Sequence, residues 1–286
     1  MSVKNFIPEI WSSNILRGLL DELVYAQVAN RSYEGEITAV GDVVHINEIG
    51  PITIRDYTDN STSDLTWEYL EAAAKELRVD KAKYFAFAVD DVDKRQAKGA
   101  FMEDAQTRAM WGLRDAIDAA LAALHGEALK TIGATSAGED TPTSAVLYQL
   151  TAVQHMLDET NTPANGRWIV VPPWYAWKAR MARIVNLGGD GNDKYITTGY
   201  MGKTIMGLDM YVSNNVVNGT PAGDNAKIMA GGPDTLALAV QMMNVEAVRP
   251  SKAFHDLVKG LAVYGYKVIR PKNLVCLTAD YVAETT

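Results

Sequence analysis

The sequence predicts an α+β fold in which extended chain and one long helix precede a compact mixed region. Apolar residues alternate with a period of two between about residues 40 and 90, and an apolar stripe of helical period then runs to about residue 130. Shorter helix-like and strand-like segments follow. The chain has 286 residues, 48% hydrophobic and 22% charged, which is enough apolar material for a sizeable core and too little charge for a disordered chain.

The amino-terminal segment is unusually apolar. Phe6, Ile7 and Trp11 lie close together in sequence, which is uncommon for a solvated tail. A helix is predicted from about Glu9 to Asn30, because leucine, isoleucine and valine recur at helical spacing and Pro8 suits a first helical turn.

Two extended arms are predicted next. The first includes Val44 to Ile54 and the second Leu77 to Val89, where the apolar residues lie on odd positions and Lys81 and Lys83 interrupt the stripe. The polar segment Asp56 to Asp64 joins the arms. Arms of about a dozen residues would each span roughly 40 Å. Such a ribbon is not stable alone, and its edges invite pairing with another chain.

A long helix is predicted from Asp91 or Asp93 to about Lys130, with no strong breaker before Gly133. About 38 helical residues would span roughly 55 Å. The stripe is rich in alanine and follows a period of 3.6 better than a strict heptad, which favours a single helix over a coiled coil. Its members are Phe101, Ala105, Ala109, Leu113, Ile117, Leu121 and Leu124.

The compact region follows a polar linker at residues 135–143. Helices are predicted at residues 143–159, 174–185 and 235–242, with a loop at 186–193. Strands are predicted at residues 167–171, 208–213, 227–230, 244–249, 261–270 and 274–279.

Signals for catalysis or metal binding are weak. The loop from Gly188 to Asp193 matches neither a phosphate loop nor a calcium loop, which favours a surface loop over a weak cation site. Asp90, Asp91 and Asp93 are better explained as the start of a helix than as a metal or acid/base cluster. No pairing typical of a zinc site links the histidines, which are His45, His125, His155 and His255.

Aromatic and thiol side chains are also interpreted as structural. Trp168, Trp174, Tyr175 and Trp177 favour core packing over a stacking platform for bases or sugars. Cys276, the single cysteine, lies in an apolar run and is predicted to be buried and inert. No cofactor is expected.

The net charge of −8 makes tight binding of a phosphate backbone a poor hypothesis, although it is compatible with enclosing a nucleic acid. No apolar stretch has the length of a signal peptide or a membrane span, so a soluble intracellular protein without a membrane partner is expected.

Several motifs, in their order along the chain, resemble the major capsid proteins of tailed bacteriophages, which share the Hong Kong 97 fold. Residues 6–12 are similar to the family's opening, and residues 41–46 to the first arm of its extended loop. Residues 166–173 are similar to the central strand of its axial domain, and residues 206–215 and 263–268 to later strands.

The resemblance implies a division into an N-arm, an extended loop, a spine helix with part of the peripheral domain, an axial domain and closing strands of the peripheral domain. The corresponding ranges are 1–35, 36–90, 91–142, 143–243 and 244–286. It implies an icosahedral phage head of hexamers and pentamers that encloses double-stranded DNA without sequence-specific binding. The protein would lie in the virion, with assembly in the host cytoplasm and a portal as partner.

Two departures from the family pattern add expectations. The chain starts directly at the N-arm, so a separate scaffolding protein or an already trimmed form is expected. The loop from Asp56 to Asp64 has no lysine, the nearest being Lys75, Lys81 and Lys83, so assembly without covalent cross-links is predicted.

The candidate assembly residues are those at the amino terminus, at the tip of the extended loop and in the axial loop. They are Phe6, Ile7, Trp11, Tyr57, Asp59, Asn60, Asp64, Trp67, Gly188, Asp190 and Asn192. An encapsulin-like compartment shell and a soluble enzyme with an unrecognised site remain alternative interpretations.

Overall fold

The computed structural model describes residues 23–32, 43–49, 52–54, 68, 72–90, 101–133, 139–182, 200–203, 207–220, 225–248 and 255–283. The helices within them are α1 (Val24–Val28), α2 (Phe101–Ala122), α3 (Thr143–Glu159) and α4 (Pro173–Met181). Short 3-10 turns lie at Ala123–Glu127 and Pro271–Asn273. The strands are β1 (Val43–Ile49), β2 (Ala72–Arg78), β3 (Lys81–Asp90), β4 (Lys130–Ile132), β5 (Glu139–Thr141), β6 (Trp168–Val171), β7 (Tyr200–Lys203), β8 (Asp209–Val212), β9 (Ala226–Gly231), β10 (Leu236–Val248), β11 (His255–Val268) and β12 (Leu274–Tyr281).

The largest sheet has seven strands among the described residues, in the order β4-β12-β9-β6-β8-β7 with β5 also paired to β12. All four residues of β6 are buried. A strand with no polar face is typical of a sheet that is covered on both sides. α3 buries Val146, Leu150, Val153 and Leu157 at the helical period, and these side chains belong to the same core as β6.

β12 ties two distant segments to this sheet. Residues 275–277 pair with β4 and residues 279–281 with β5, both in parallel, while β9 pairs antiparallel along the other edge. The chain leaves β4 at Gly133 with a φ of 86°. A Cβ at this position would lie 2.6 Å from the carbonyl oxygen of Thr278, so only glycine lets the chain pass beside β12 there.

The second sheet is antiparallel, in the order β10-β11-β3, and its two faces have different partners. The face towards the main core carries, on β10 and β11, Leu236, Leu238, Val240, Val258, Ala262, Tyr264 and Val268. The opposite face, which we call the outer face, carries a smaller core shared with the β1–β2 hairpin. Its members are Val44, Ile46, Leu77, Val79, Ala237, Ala239, Val263 and Ile269. Successive strand residues point to opposite faces, so one strand serves both cores.

The helix predicted at residues 235–242 is wrong, because this segment opens β10. Leu236 and Leu238 pack into the main core, whereas Ala237 and Ala239 pack under the hairpin. A strand buried on both faces reads as a continuous apolar run, and the alanines in this run then favour a helical interpretation.

The predicted helix from Glu9 to Asn30 is confirmed in its described part only for α1, and it is wrong at Leu23 and after Val28. Leu23 and Ala29 on either side of α1 have extended backbone. The amide of Asn30 donates to the carbonyl of Leu236 at 2.8 Å, and Asn30 in turn accepts from Leu238 at 3.0 Å. Pairing with β10 therefore replaces the helical hydrogen bonds.

The second arm, from Leu77 to Val89, is divided between two sheets rather than continuous. β2 pairs with β1, whereas β3 pairs with β11. The division falls at Val79 and Asp80, where Val79 is buried in the hairpin core.

The long helix also ends earlier than predicted. α2 stops at Ala122, and the chain reaches β4 through a 3-10 turn instead of continuing to Lys130. Asp91 and Asp93 lie outside the described residues, whereas Asp90 is the last residue of β3 and is not at a helix start, because it pairs with His255 of β11.

Other predictions are confirmed in the described residues. α3 has the predicted bounds, and β6, β8, β9 and β12 lie where strands were predicted. The strand predicted at residues 261–270 is β11, which begins earlier, at His255, and the strand predicted at residues 244–249 is the last part of β10. The linker at 135–143 contains β5, which was not predicted. The helix predicted at residues 174–185 ends at Met181. The domain division stays a prediction; its boundary between residues 243 and 244 falls inside β10, and β12 pairs with β9.

Candidate assembly surfaces

Side chains considered for metal binding do not come together in the described ranges. No group of three or more His, Cys, Asp or Glu residues that could hold a metal ion occurs there. His45 and His155 are exposed, whereas His125 and His255 are half-buried, and the four lie on different elements. The loop from Gly188 to Asp193 lies outside the described residues.

The aromatic cluster is largely core, as predicted. Trp168, Trp174 and Tyr175 are buried, whereas Trp177 is 45% exposed. Cys276 is buried as predicted, and burial raises the pKa of its thiol. Among the helices that the structure describes, none is long and apolar enough to span a bilayer.

The predicted assembly residues all lie outside the described residues and stay predictions. They are Phe6, Ile7, Trp11, Tyr57, Asp59, Asn60, Asp64, Trp67, Gly188, Asp190 and Asn192. The surfaces that the structure describes are the β1–β2 hairpin and the outer face of the β10-β11-β3 sheet.

The base of the hairpin is fixed to this outer face by packing and by hydrogen bonds. Lys75 Nζ donates to the carbonyl oxygen of Ile269 at 2.6 Å, and Lys267 Nζ donates to that of Glu76 at 2.9 Å. A Cβ on Gly265 would lie 2.3 Å from the carbonyl oxygen of Arg78, so the hairpin backbone contacts the sheet directly. The hydrogen bond from Arg78 lowers the pKa of the Glu76 carboxyl group.

The described part of the loop beyond the base is exposed and apolar. Ile52 is 62% exposed and Ile54 is 95% exposed. Between them, the Thr53 amide donates to Glu68 Oε2 at 3.1 Å, and the Thr53 hydroxyl donates to Glu68 Oε1 at 3.3 Å. These hydrogen bonds join residue 53 to residue 68 on the other side of the loop. They therefore fix the segment that carries the two exposed isoleucines.

The end of the outer face away from the hairpin is exposed as well. Ala88, Leu257 and Val248 are neighbours across the three strands, and Ala86 lies opposite Lys259. They line a surface groove of about 460 Å³, which we call the outer groove. Leu257 is 37% exposed and Val248 49%.

The outer groove has a charged rim and an aromatic neighbour. Lys259 Nζ lies 2.7 Å from Glu246 Oε2, and both side chains are largely exposed. Tyr84, on the same face of β3, is 78% exposed. An apolar floor with a polar rim is typical of an interaction surface.

Sequence reasoning missed this surface, although a signal was present. The predicted apolar stripe contained only the odd positions of β3, where Phe85 and Phe87 pack against the main core. The even positions hold Tyr84, Ala86 and Ala88. Small residues and an aromatic on the supposed solvent side of a strand indicate a second packing face.

The comparisons with known proteins agree with an assembly role. The sequence pattern of one family, described as phage capsid protein, matches residues 72–277. No protein of curated function matches the chain.

Solved structures of similar fold come from phage heads and related particles. A Mycobacterium phage Che8 structure has a TM-score of 0.69 and 26% identity, covering 90% of this chain and 91% of that one. The capsid structure of the cyanophage P-SCSP1u has a TM-score of 0.65 and 14% identity, covering 92% and 89%. A virus-like particle from Pyrococcus furiosus has a TM-score of 0.57 and 13% identity, covering 94% and 98%.

The family match covers more than half of the chain, so the chain belongs to the phage capsid protein family, a family of structural proteins. Its fold is of the Hong Kong 97 type. It is a major capsid protein that assembles with copies of itself into the shell of the phage head, and its location is the virion.

Proposed function

We propose that this capsid protein builds its hexamers and pentamers through a head-to-tail contact, in which residues 52–54 of one copy pack into the outer groove of the next. One observation supports the proposal above all. The hairpin base covers one end of the outer face, while the other end of the same face stays exposed in the part of the chain that the structure describes.

Within one chain, the hairpin points away from the outer groove. Arg78 lies over Gly265, and Lys75, nearer the far end of the hairpin, bonds to Ile269. The hairpin thus extends towards the end of β11, whereas Leu257 in the groove lies near its start. Gly265 lies eight positions after Leu257 on the strand, or roughly 27 Å away at about 3.4 Å per residue. The far end of a hairpin therefore meets the groove of another copy, and such heterologous contacts can close into rings.

The size of the contact suits a shell. Full burial of Ile52 and Ile54 together contributes about 3–6 kcal/mol, whereas association costs about 4–15 kcal/mol in lost freedom of motion. The contact therefore holds two isolated copies together weakly at most. In a ring each copy both makes and receives it, so the contacts reinforce one another.

The remaining assignments rest on the family and on charge. The shell encloses double-stranded DNA without sequence-specific binding, and a net charge of −8 suits a wall that does not retain packed DNA. The chain has no catalytic role. It assembles in the host cytoplasm with a separate scaffolding protein and a portal, without covalent cross-links, and is divided into N-arm, extended loop, spine, axial and peripheral parts.

A cysteine pair tests the head-to-tail contact. The double variant Ile54→Cys with Leu257→Cys should give disulfide-linked ladders up to the hexamer on a non-reducing gel. Cys276 is the single natural cysteine and is buried, so it does not compete. A disulfide requires Cα atoms within about 7 Å, which makes the test specific. The matched control combines Ile54→Cys with Leu147→Cys, an exposed leucine on α3.

Two results would overturn parts of the proposal. Closed shells seen by electron microscopy, together with no ladder for the Ile54 and Leu257 pair, would reject the contact and leave the family function intact. We also proposed that the shell has no covalent cross-links. Wild-type mature shells that are boiled and reduced should therefore run as single chains on a denaturing gel. Linked chains on that gel would reject this part of the proposal.

A further inference from the structure

Asp118 on α2 joins three segments that are far apart in sequence. It is 3% exposed. Its Oδ1 accepts a hydrogen bond from the backbone amide of Tyr25 at 2.9 Å. Its Oδ2 accepts from the hydroxyl of Ser213 at 3.1 Å and from Asn215 Nδ2 at 3.3 Å. We infer that Asp118 is a positioning residue that couples the docking of α1 to the placement of the loop after β8.

The bond to Tyr25 supplies a cap that α1 lacks in its own sequence. Leu23, at the N-cap position, has no side chain that can accept a hydrogen bond, and no side-chain cap from within the segment is formed. The first-turn amides of a helix need such a partner. Asp118 provides it from a position 93 residues along the chain. The start of α1 is thus fixed by α2 and not by its own sequence.

The same carboxylate organises the loop after β8. The hydroxyl of Ser213 donates to Asp118 and accepts from the amide of Asn215 at 3.1 Å. Asn215 also reaches Asp118 directly with its side chain. The loop is therefore folded around the carboxylate, and members of such a buried network depend on one another.

The surroundings of Asp118 explain why the loss of one hydrogen-bond donor should affect its other hydrogen bonds. Burial raises the pKa of Asp118 despite its three donors and the nearby Arg114 guanidinium. A cavity of about 190 Å³, lined also by Trp111, Arg114 and Asp115, lies beside the carboxylate. When a donor from the loop is removed, the carboxylate can turn towards this cavity and release the Tyr25 amide. Coupling of this kind is reciprocal.

The test is hydrogen exchange on the full-length chain carrying Ser213→Ala. Ser213 makes no hydrogen bond to α1 among those described, yet coupling predicts that the amides of residues 24–28 exchange roughly tenfold faster, the scale of losing a bond to a charged group. Asp118→Asn should loosen α1 and the loop together. The matched control, Thr162→Val, removes another buried hydroxyl, bonded to Thr160 at 2.9 Å, and should leave α1 unchanged.

Faster exchange in the loop with wild-type exchange at residues 24–28 would overturn the inference, because the contacts would then be independent. If Ser213→Ala does not fold, Asn215→Ala removes only the longer bond and is judged by the same comparison. Faster exchange at α1 in the Thr162→Val control would also reject it, since any buried hydroxyl would then have the same effect.

Discussion

The seven-stranded sheet and the β10-β11-β3 sheet differ in how their faces are covered. The residues of β6 are buried on both faces by the chain itself. The outer face of the second sheet is covered by the hairpin at one end and leaves Leu257 and Val248 exposed at the other. The strand β6 is thus covered within one chain, whereas the second sheet leaves apolar surface exposed at one end.

Two lysines show a similar difference between a group that is buried within the chain and a group that is exposed at the outer groove. Lys178 on α4 is wholly buried, and its Nζ donates to the carbonyl oxygen of Val282 and lies 5.0 Å from the ring centre of Tyr281. Lys259 at the outer groove is largely exposed and pairs with Glu246. A buried charged group needs hydrogen-bond partners within the chain. An exposed ion pair contributes little to stability, and it can lie at the edge of a surface that a partner covers.

The largest effect on chain stability is expected in the seven-stranded sheet. Ile169→Ala removes a fully buried side chain of β6 and should lower the free energy of unfolding by about 2–5 kcal/mol, because a cavity forms in a close-packed core. Urea denaturation of the unassembled chain measures it. The control Ile54→Ala removes an exposed isoleucine and should change little. A loss below about 1 kcal/mol for Ile169→Ala would contradict the comparison.

A smaller and local effect is expected where the hairpin meets the outer face. Gly265→Ala places a methyl group against the carbonyl oxygen of Arg78 and should cost about 1–3 kcal/mol. Hydrogen exchange should become faster in β1 and β2 but not in β6. The control Gly112→Ala, on an open helical surface, should stabilise the chain by about 0.5–1 kcal/mol. Equal loosening of β6 would show that the hairpin is not a separate unit.

The same contrast explains which parts of the fold were predictable. α3 repeats its buried residues at 3.6, and β6 is a short apolar run that ends at proline, so local signals were sufficient. β10 was misread because two different cores cover its two faces and mask its period. The division at Val79 depends on which strand pairs with which, and pairing is a property of the whole fold. The outer groove was missed for a related reason, since its residues come from three strands.

A still smaller effect is expected at Lys178. Lys178→Met keeps most of the packing but removes the donor to Val282, which should cost about 1 kcal/mol in free energy of unfolding. Hydrogen exchange at residues 281–283 should become faster. Lys259→Met, which removes an exposed pair, should cost less than about 1 kcal/mol and leave exchange at residues 281–283 unchanged. Unchanged exchange at these residues in Lys178→Met would mean that the lysine does not hold them.

The smallest effect on the chain should accompany a large effect on the shell. Ile54→Asp alters a side chain that is 95% exposed, so the free energy of unfolding should change by no more than about 0.5 kcal/mol. In the proposed head-to-tail contact, however, the new carboxylate would enter an apolar groove and lose its hydration without a partner. We therefore expect a folded chain that no longer forms closed shells, as seen by electron microscopy and sedimentation.

Leu257→Asp in the groove should have the same outcome, because it disrupts the other half of the contact. Leu147→Asp on α3 is the control for an exposed leucine outside both surfaces. Normal shells from both Ile54→Asp and Leu257→Asp would show that the exposed end of the outer face is not where copies meet. Failure of Ile54→Asp alone, with normal shells from Leu257→Asp, would keep the hairpin as an assembly element and move its partner surface elsewhere.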